Sequence, residues 1–248
     1  MNNIFYIVLP SNSSSHLFPD NKVSSFKVQL SNPLQLDPSK WEVALSEIQL
    51  AHTWYNVRKG KNTLIKTFLK TSSLLQIPEG NYINIKKIVE NIKVKDDFSN
   101  PIQIKFSDID QKVKIDVPKD VELRFNGSDI ARCFGFDNNA KLDEGTSLST
   151  SISTINIYRS IYVYTDIIEN QLTGDYKVPL LRVIPITSKY GDNVCVRYDK
   201  PHFFNVNRSR IQTIEIDLRD DEGELISFEG GRSIVTLVFR RKAAKFFD

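Results

Sequence analysis

Residues 155–186 read INIYRSIYVYTDIIENQLTGDYKVPLLRVIPI, and their pattern decides the fold class. In the first arm Ile155, Ile157, Ile161 and Val163 fall on odd positions, and Tyr158, Tyr162 and Tyr164 on even ones. Side chains alternate across a strand, so one face is aliphatic and the other aromatic. The second arm, Val178 to Ile186, is almost continuously apolar, the pattern of a strand covered on both faces. Asn170 to Asp175 between them carries Asn, Gly and Asp, which suit a turn. Pro179 and Pro185 cannot donate to a ladder and belong at strand ends, edges or bulges. A parallel crossover needs a dozen or more residues, so this short connection predicts an antiparallel pair.

The same alternation runs outward in both directions. Ile4 to Leu9 is a strand closed by Pro10, and Phe26, Val28 and Leu30 mark a half-buried one. Trp41, Val43 and Leu45 are odd, but Ile48 and Leu50 are even, so a bulge near Ser46 or a change of packing partner is expected. Toward the C-terminus, Val194 to Tyr198, His202 to Val206, Arg210 to Arg219 and Ser233 to Phe239 continue as strands. The blocks 1–62 and 151–240 supply roughly eight strands, the number a jelly roll needs. Residues 63–150 differ in period. Ile85, Ile88, Val89 and Ile92 fall at i, i+3, i+4 and i+7, an amphipathic helix, and Ser128 and Gly135 bracket a second short one. Strands are expected over Thr63–Leu69, Ile102–Phe106, Val113–Val117 and Val121–Phe125, with Ala140 to Ser153 as a return linker. The expected fold is all-β: a single jelly-roll β-sandwich from 1–62 and 151–248, with a small α+β domain, 63–150, inserted.

Composition narrows the function. Of 248 residues 40% are hydrophobic and 25% charged, as in globular proteins. A net charge of +3 is too weak, and its lysines and arginines too scattered, for a dedicated nucleic-acid surface. The basic run Arg240, Arg241, Lys242 and Lys245 reads as a solvated terminus. No apolar run approaches the ~18 residues of a membrane-spanning helix. Cys133 and Cys195 lie far apart beside apolar neighbours, so a reduced intracellular assembly site is expected rather than a disulfide.

Catalytic motifs are missing. There is no phosphate-binding glycine loop, dinucleotide fingerprint or nucleophile elbow. His16, His52 and His202 have no second His or Cys at ligand spacing, so neither a metal nor a cofactor is expected. Asp217, Asp220, Asp221, Glu222 and Glu224 lack a calcium-loop spacing and read as a hairpin turn. Asp108 and Asp110 flank a solvated hairpin tip. Trp54 and Tyr55, in a loop, are candidate ligand-binding aromatics. Tyr158, Tyr162 and Tyr164 either bury inside the sandwich or face a neighbouring subunit.

Four segments, in this order, carry a resemblance. They are Trp41-Glu42-Val43-Ala44-Leu45 with Glu47-Ile48; Ser160 to Ile168; Gly174-Asp175 to Pro179-Leu180-Leu181-Arg182; and Ile214 to Asp217 with Asp220 to Gly223, Phe228, Gly230 and Val235 to Arg240. Together they resemble the minor capsid (penton) proteins of Polinton/Maverick-type elements and their virophage-like relatives. Ile77 to Tyr82 and Cys133-Phe134-Gly135-Phe136 add to the likeness. The resemblance implies a single jelly roll that assembles as a homopentamer at five-fold capsid vertices in the virion, beside double-jelly-roll major capsid subunits. It implies no catalysis and leaves the insertion as a surface-facing domain for host attachment. Candidate subunit-interface residues are then Tyr158, Tyr162, Tyr164, Arg240, Arg241 and Lys242. Asn2-Asn3 and Arg240 to Asp248 are candidates to reach adjacent capsid subunits. The competing reading is a carbohydrate- or ligand-binding β-sandwich using Trp54 and Tyr55.

Overall fold

A computed structural model describes residues 4–96 and 101–242. In chain order its elements begin β1 (Ile4–Pro10), β2 (Ser25–Gln35), β3 (Trp41–Ala51), β4 (Thr63–Phe68), β5 (Thr71–Gln76), α1 (Ile85–Lys95), β6 (Gln103–Phe106), β7 (Val113–Val117) and β8 (Val121–Arg124). They continue with α2 (Asp129–Phe134), β9 (Lys141–Leu142), β10 (Gly145–Leu148), β11 (Ser160–Thr165), β12 (Gln171–Thr173), β13 (Tyr176–Val178) and β14 (Leu180–Pro185). The chain closes with β15 (Asn193–Arg197), β16 (Phe204–Asn205), β17 (Arg210–Arg219) and β18 (Ser233–Arg241). Two compact units result: residues 1–53 with 158–248, and residues 54–157.

The first unit is a jelly roll. One sheet has the order β1-β18-β3-β15, with β16 also on β3; the other runs β14-β11-β17-β2. Every pairing in both is antiparallel. Each sheet turns an aliphatic face inward. Val43, Leu45, Ile48, Leu50, Val235, Leu237 and Phe239 line one; Phe26, Val28, Ile161, Val163, Ile214, Ile216 and Leu218 line the other. The shift of parity in β3 is a bulge at Ser46: Thr236 pairs with Glu47 and Leu237 with Leu45, so Ser46 has no partner across the ladder. The extra residue returns Ile48 and Leu50 to the core face.

Of the crossings between the sheets, β1 to β2, β3 to β11, β14 to β15 and β17 to β18 join strands of equal rank in the two orders, so the orders stand in register. β1 therefore lies across from β2 at one lateral edge, and β15 across from β14 at the other. The guanidinium of Arg182 lies 4.1 Å from the centre of the Tyr198 ring and bridges that second edge. Ile4 pairs with Arg240 and Pro10 with Ile234. Both described chain ends thus share one end of the sandwich. The chain leaves the unit after β3 and returns before β11 at the other.

The decisive stretch folds differently from the pattern in three respects. β11 starts at Ser160, and Ile155 and Ile157 belong to the second unit. β11 does pair antiparallel with β14, but a small hairpin, β12–β13, intervenes and turns at Gly174, whose φ of 56° is left-handed. β14 is an edge strand buried on one face only: Leu181 and Ile184 are covered, whereas Val183 is 38% exposed.

The second unit holds two small sheets, β10-β7-β6 and β5-β4-β8-β9, with both helices. α1 buries Ile85, Ile88, Val89 and Ile92, and the Asn84 side chain caps it by accepting from the Lys87 amide. Gly135 ends α2 at φ 78°, but Ser128 makes no side-chain cap bond. The segment expected as a linker contains β9 and β10, and β5 had no apolar alternation to announce it. Short polar strands such as GTSL carry too few apolar positions for a period to appear.

Candidate subunit interface

The outward face of the β11–β14 half of the second sheet is the first candidate. Tyr162 stands between Val183 and Arg219, and Tyr164 between Leu180 and Asp217. Both tyrosines are half-buried, and burial raises the Tyr164 phenol above its ordinary pKa. Arg219 Nη2 donates to Asp217 Oδ2 at 2.6 Å. Across β17 and β2 the same face becomes polar, with Lys27 and Glu215 paired at 3.2 Å. Aromatic and aliphatic surface is thus confined to the edge half. Tyr158 does not join it: the residue precedes β11 and is 2% exposed, so the row consists of Tyr162 and Tyr164.

The second candidate lies on the first sheet. β1 turns Phe5, Ile7 and Leu9 toward the interior; Phe5 stacks on Phe239 with ring centres 5.0 Å apart. Its other face carries Ile4, Tyr6 and Val8, which are 47%, 58% and 56% exposed. β18 continues this row with Val238, opposite Tyr6 but only 2% exposed, and then with Arg240, opposite Ile4. The sequence signal for these residues is that β1 is apolar on both parities, IFYIVL, although it has only one covered face. Val183 carries the same signal, in a strand that reads as covered on both faces and is covered on one.

The basic residues are not a loose tail. Arg240 Nε donates to Glu42 Oε1 at 2.5 Å, and its guanidinium sits 3.5 Å from the centre of the Phe203 ring. Lys242 Nζ reaches the Pro38 carbonyl at 3.2 Å, and Arg241 is exposed. Asn2, Asn3 and residues 243–248 lie outside the described residues.

The other candidates are taken up by structure. Trp54 is 4% exposed, so its ring offers no stacking platform, and Tyr55 beside it is half-buried. Asp220 Oδ1 accepts from the amides of Glu222 and Glu224 and closes the acidic hairpin turn. Asp108 pairs with Lys86 at 2.7 Å. His202 is exposed, and burial lowers the pKa of His52, whose Nδ1 lies 2.8 Å from Ser188 Oγ. Among the described residues no three His, Cys, Asp or Glu side chains gather as a metal site, and no helix is long and apolar enough to cross a membrane.

These features define a class: a single jelly roll with an α+β insertion between its third and fourth long strands, carrying apolar surface on its edge strands. The fold is similar to that of the mavirus penton protein, known from a crystal structure. The TM-score is 0.52 and the identity 11%, over 96% of this chain and 99% of that chain. Coverage of that extent takes in the second unit as well as the sandwich. The penton resemblance read in the sequence is matched at the level of the fold. No family model matches the sequence, and no curated protein matches it.

Proposed function

We propose that the chain is a structural virion protein, the penton (minor capsid) subunit that forms homopentamers at the five-fold vertices of an icosahedral capsid. The observation that carries the reading is the near-complete coverage in the likeness to the mavirus penton protein, insertion included. Surface chemistry supports it. A closed ring of identical copies needs two different patches per subunit, and the sandwich has two. Its neighbours in the shell are double-jelly-roll major capsid subunits. They are met at the end of the sandwich that holds Ile4, Arg240, Arg241 and Lys242. Residues 63–150 form the inserted domain, whose role is attachment to a host receptor. The role is architectural and uses no cofactor or catalytic group, and the protein is assembled inside the host cell.

Light scattering of the purified chain across a concentration series, at two salt levels, tests the pentamer. A discrete species of five times the 28.5 kDa chain mass is expected. A strict monomer over the whole range would contradict it.

A further inference from the structure

We infer that two edge-strand surfaces mate with each other between copies: the Ile4–Tyr6–Val8 row of one subunit packs on the Tyr162–Tyr164–Val183 surface of the next. The inference deepens the proposed pentamer and rests on it, because it names the contact that would close the ring.

Two strands of the sandwich have the composition of strands covered on both faces, yet each is covered on one. β1 reads IFYIVL and leaves Ile4, Tyr6 and Val8 outward, a row about 13 Å long. β14 reads LLRVIP and leaves Val183 outward beside Tyr162. The outer face of an antiparallel sheet is ordinarily polar, and exposed apolar edge strands invite association. The remaining outward positions of the second sheet obey the rule: Lys27, Gln29, Thr213, Glu215 and Asp217 are all polar. The exposed apolar excess therefore lies on β1, on β14 and on the adjoining tyrosines of β11; on β18 the outward Val238 is 2% exposed.

Their placement says what covers them. β1 is at one lateral edge of the first sheet, and β14 is at the opposite lateral edge of the second. The two rows lie diagonally across the sandwich and face opposite ways, so one copy cannot bring them together. A second copy shifted sideways can. Its β1 face then overlaps the β11–β14 face of the first, and the operation repeats in the same sense. That is a head-to-tail contact, in which unlike patches meet and the chain of copies closes into a ring. A two-fold dimer would bring like patches together and leave the other row of each copy bare. Tyrosines on both sides suit such a contact, since the ring buries area while the hydroxyl keeps a polar partner at the rim.

Two variants and their mixture test this. Tyr6→Glu spoils one patch and Val183→Glu the other, and each side chain is exposed enough for the subunit to fold; melting curves check that. Sedimentation velocity should show each variant alone weakened in self-association by roughly tenfold or more. Mixed in equal amounts, they should form a one-to-one dimer and stop there, because each variant supplies the patch the other lacks. Ile109→Glu, at a 99% exposed site in the second unit, should assemble like the unaltered chain. Variants that assemble normally, or a mixture that gains nothing over its parts, would overturn the mating surfaces while leaving the ring intact. An unaltered chain that never self-associates would overturn the ring and this contact together.

Discussion

The sandwich and the second unit are stabilised by different means. In the sandwich the long strands β3, β17 and β18 run 11, 10 and 9 residues, and their inner faces are continuous rows of Val, Ile, Leu and Phe. Its ion pairs sit at the surface, such as Lys27 with Glu215 and Arg197 with Glu47, where solvent leaves them worth little. Among the described residues of the second unit no strand exceeds six residues. Two buried ion pairs lie among them. Asp129 is 0% exposed and accepts from Arg58 at its backbone amide, Nε and Nη2, at 2.9, 2.9 and 2.6 Å. Lys66 Nζ meets Asp96 Oδ1 at 2.6 Å, and Asp96 Oδ2 accepts from the Ile102 amide at 2.6 Å. Long alternating strands specify their own register, since a slip by one residue turns a whole row outward. Short strands cannot do this, and charged clamps fix the loops and helix ends instead.

Deleting Ala44 should have the largest effect. With the Ser46 bulge kept, Val43 and Leu45 become neighbours in the strand, so either Trp41 and Val43 or Leu45, Ile48 and Leu50 must face outward, and the sandwich should fail to fold cooperatively. Near-native melting of the deletion protein would show that alternation does not fix the register of β3. Next, Asp129→Ala removes the buried carboxylate from the Arg58 guanidinium and should destabilise the second unit by about 3–5 kcal/mol in urea unfolding. A change below ~1 kcal/mol would deny the clamp its role. On the sandwich side, Leu237→Ala, at a fully buried site, should cost about 2–5 kcal/mol through lost burial and a cavity. If it lowered the second unit's transition as much as the sandwich's own, the contrast between the units would dissolve.

Two weaker effects sharpen the same contrast. Cys195 is exposed on the sandwich, whereas Cys133 is buried in the second unit and its thiol is pushed far above the usual range by desolvation. One thiol should therefore react with a disulfide reagent in native protein, and both after unfolding. Fast native reaction of Cys133 would mean that the second unit opens readily. Asp37 caps its own turn, and bonds from Ser39 and Lys40 lower its pKa from 3.8 to about 2. A depressed folded pKa stabilises above the unfolded value, so this contribution is present above pH 3.8 and fades as pH falls toward 2. Asp37→Asn should flatten the acid limb of the stability curve slightly, and an unchanged limb would dismiss the turn's contribution.

The same contrast governs how much the sequence disclosed. Long alternating strands were legible, down to the bulge at Ser46, because each residue on the wrong parity has a visible consequence. The helix over Asn84–Ile92 was legible for the same reason at period 3.6. β5, β9 and β10 were not, because their pairing depends on partners distant in the chain rather than on their own pattern. Tyr158 misled because it shares parity with Tyr162 and Tyr164 but lies before the strand begins. The clamps were invisible, since Arg58 and Asp129 are separated by 71 positions. The exposed row of β1 was legible in principle: apolar residues on both parities of one strand require two covers, and the topology supplies one.

The central claim is a place in a shell, and electron cryo-microscopy of particles assembled with this chain tests it most directly. The account expects a jelly-roll density repeated five times around each vertex, with the β1 face of each copy lying over the β11–β14 face of its neighbour. Density for the chain elsewhere in the shell, or vertices filled without it, would contradict the account.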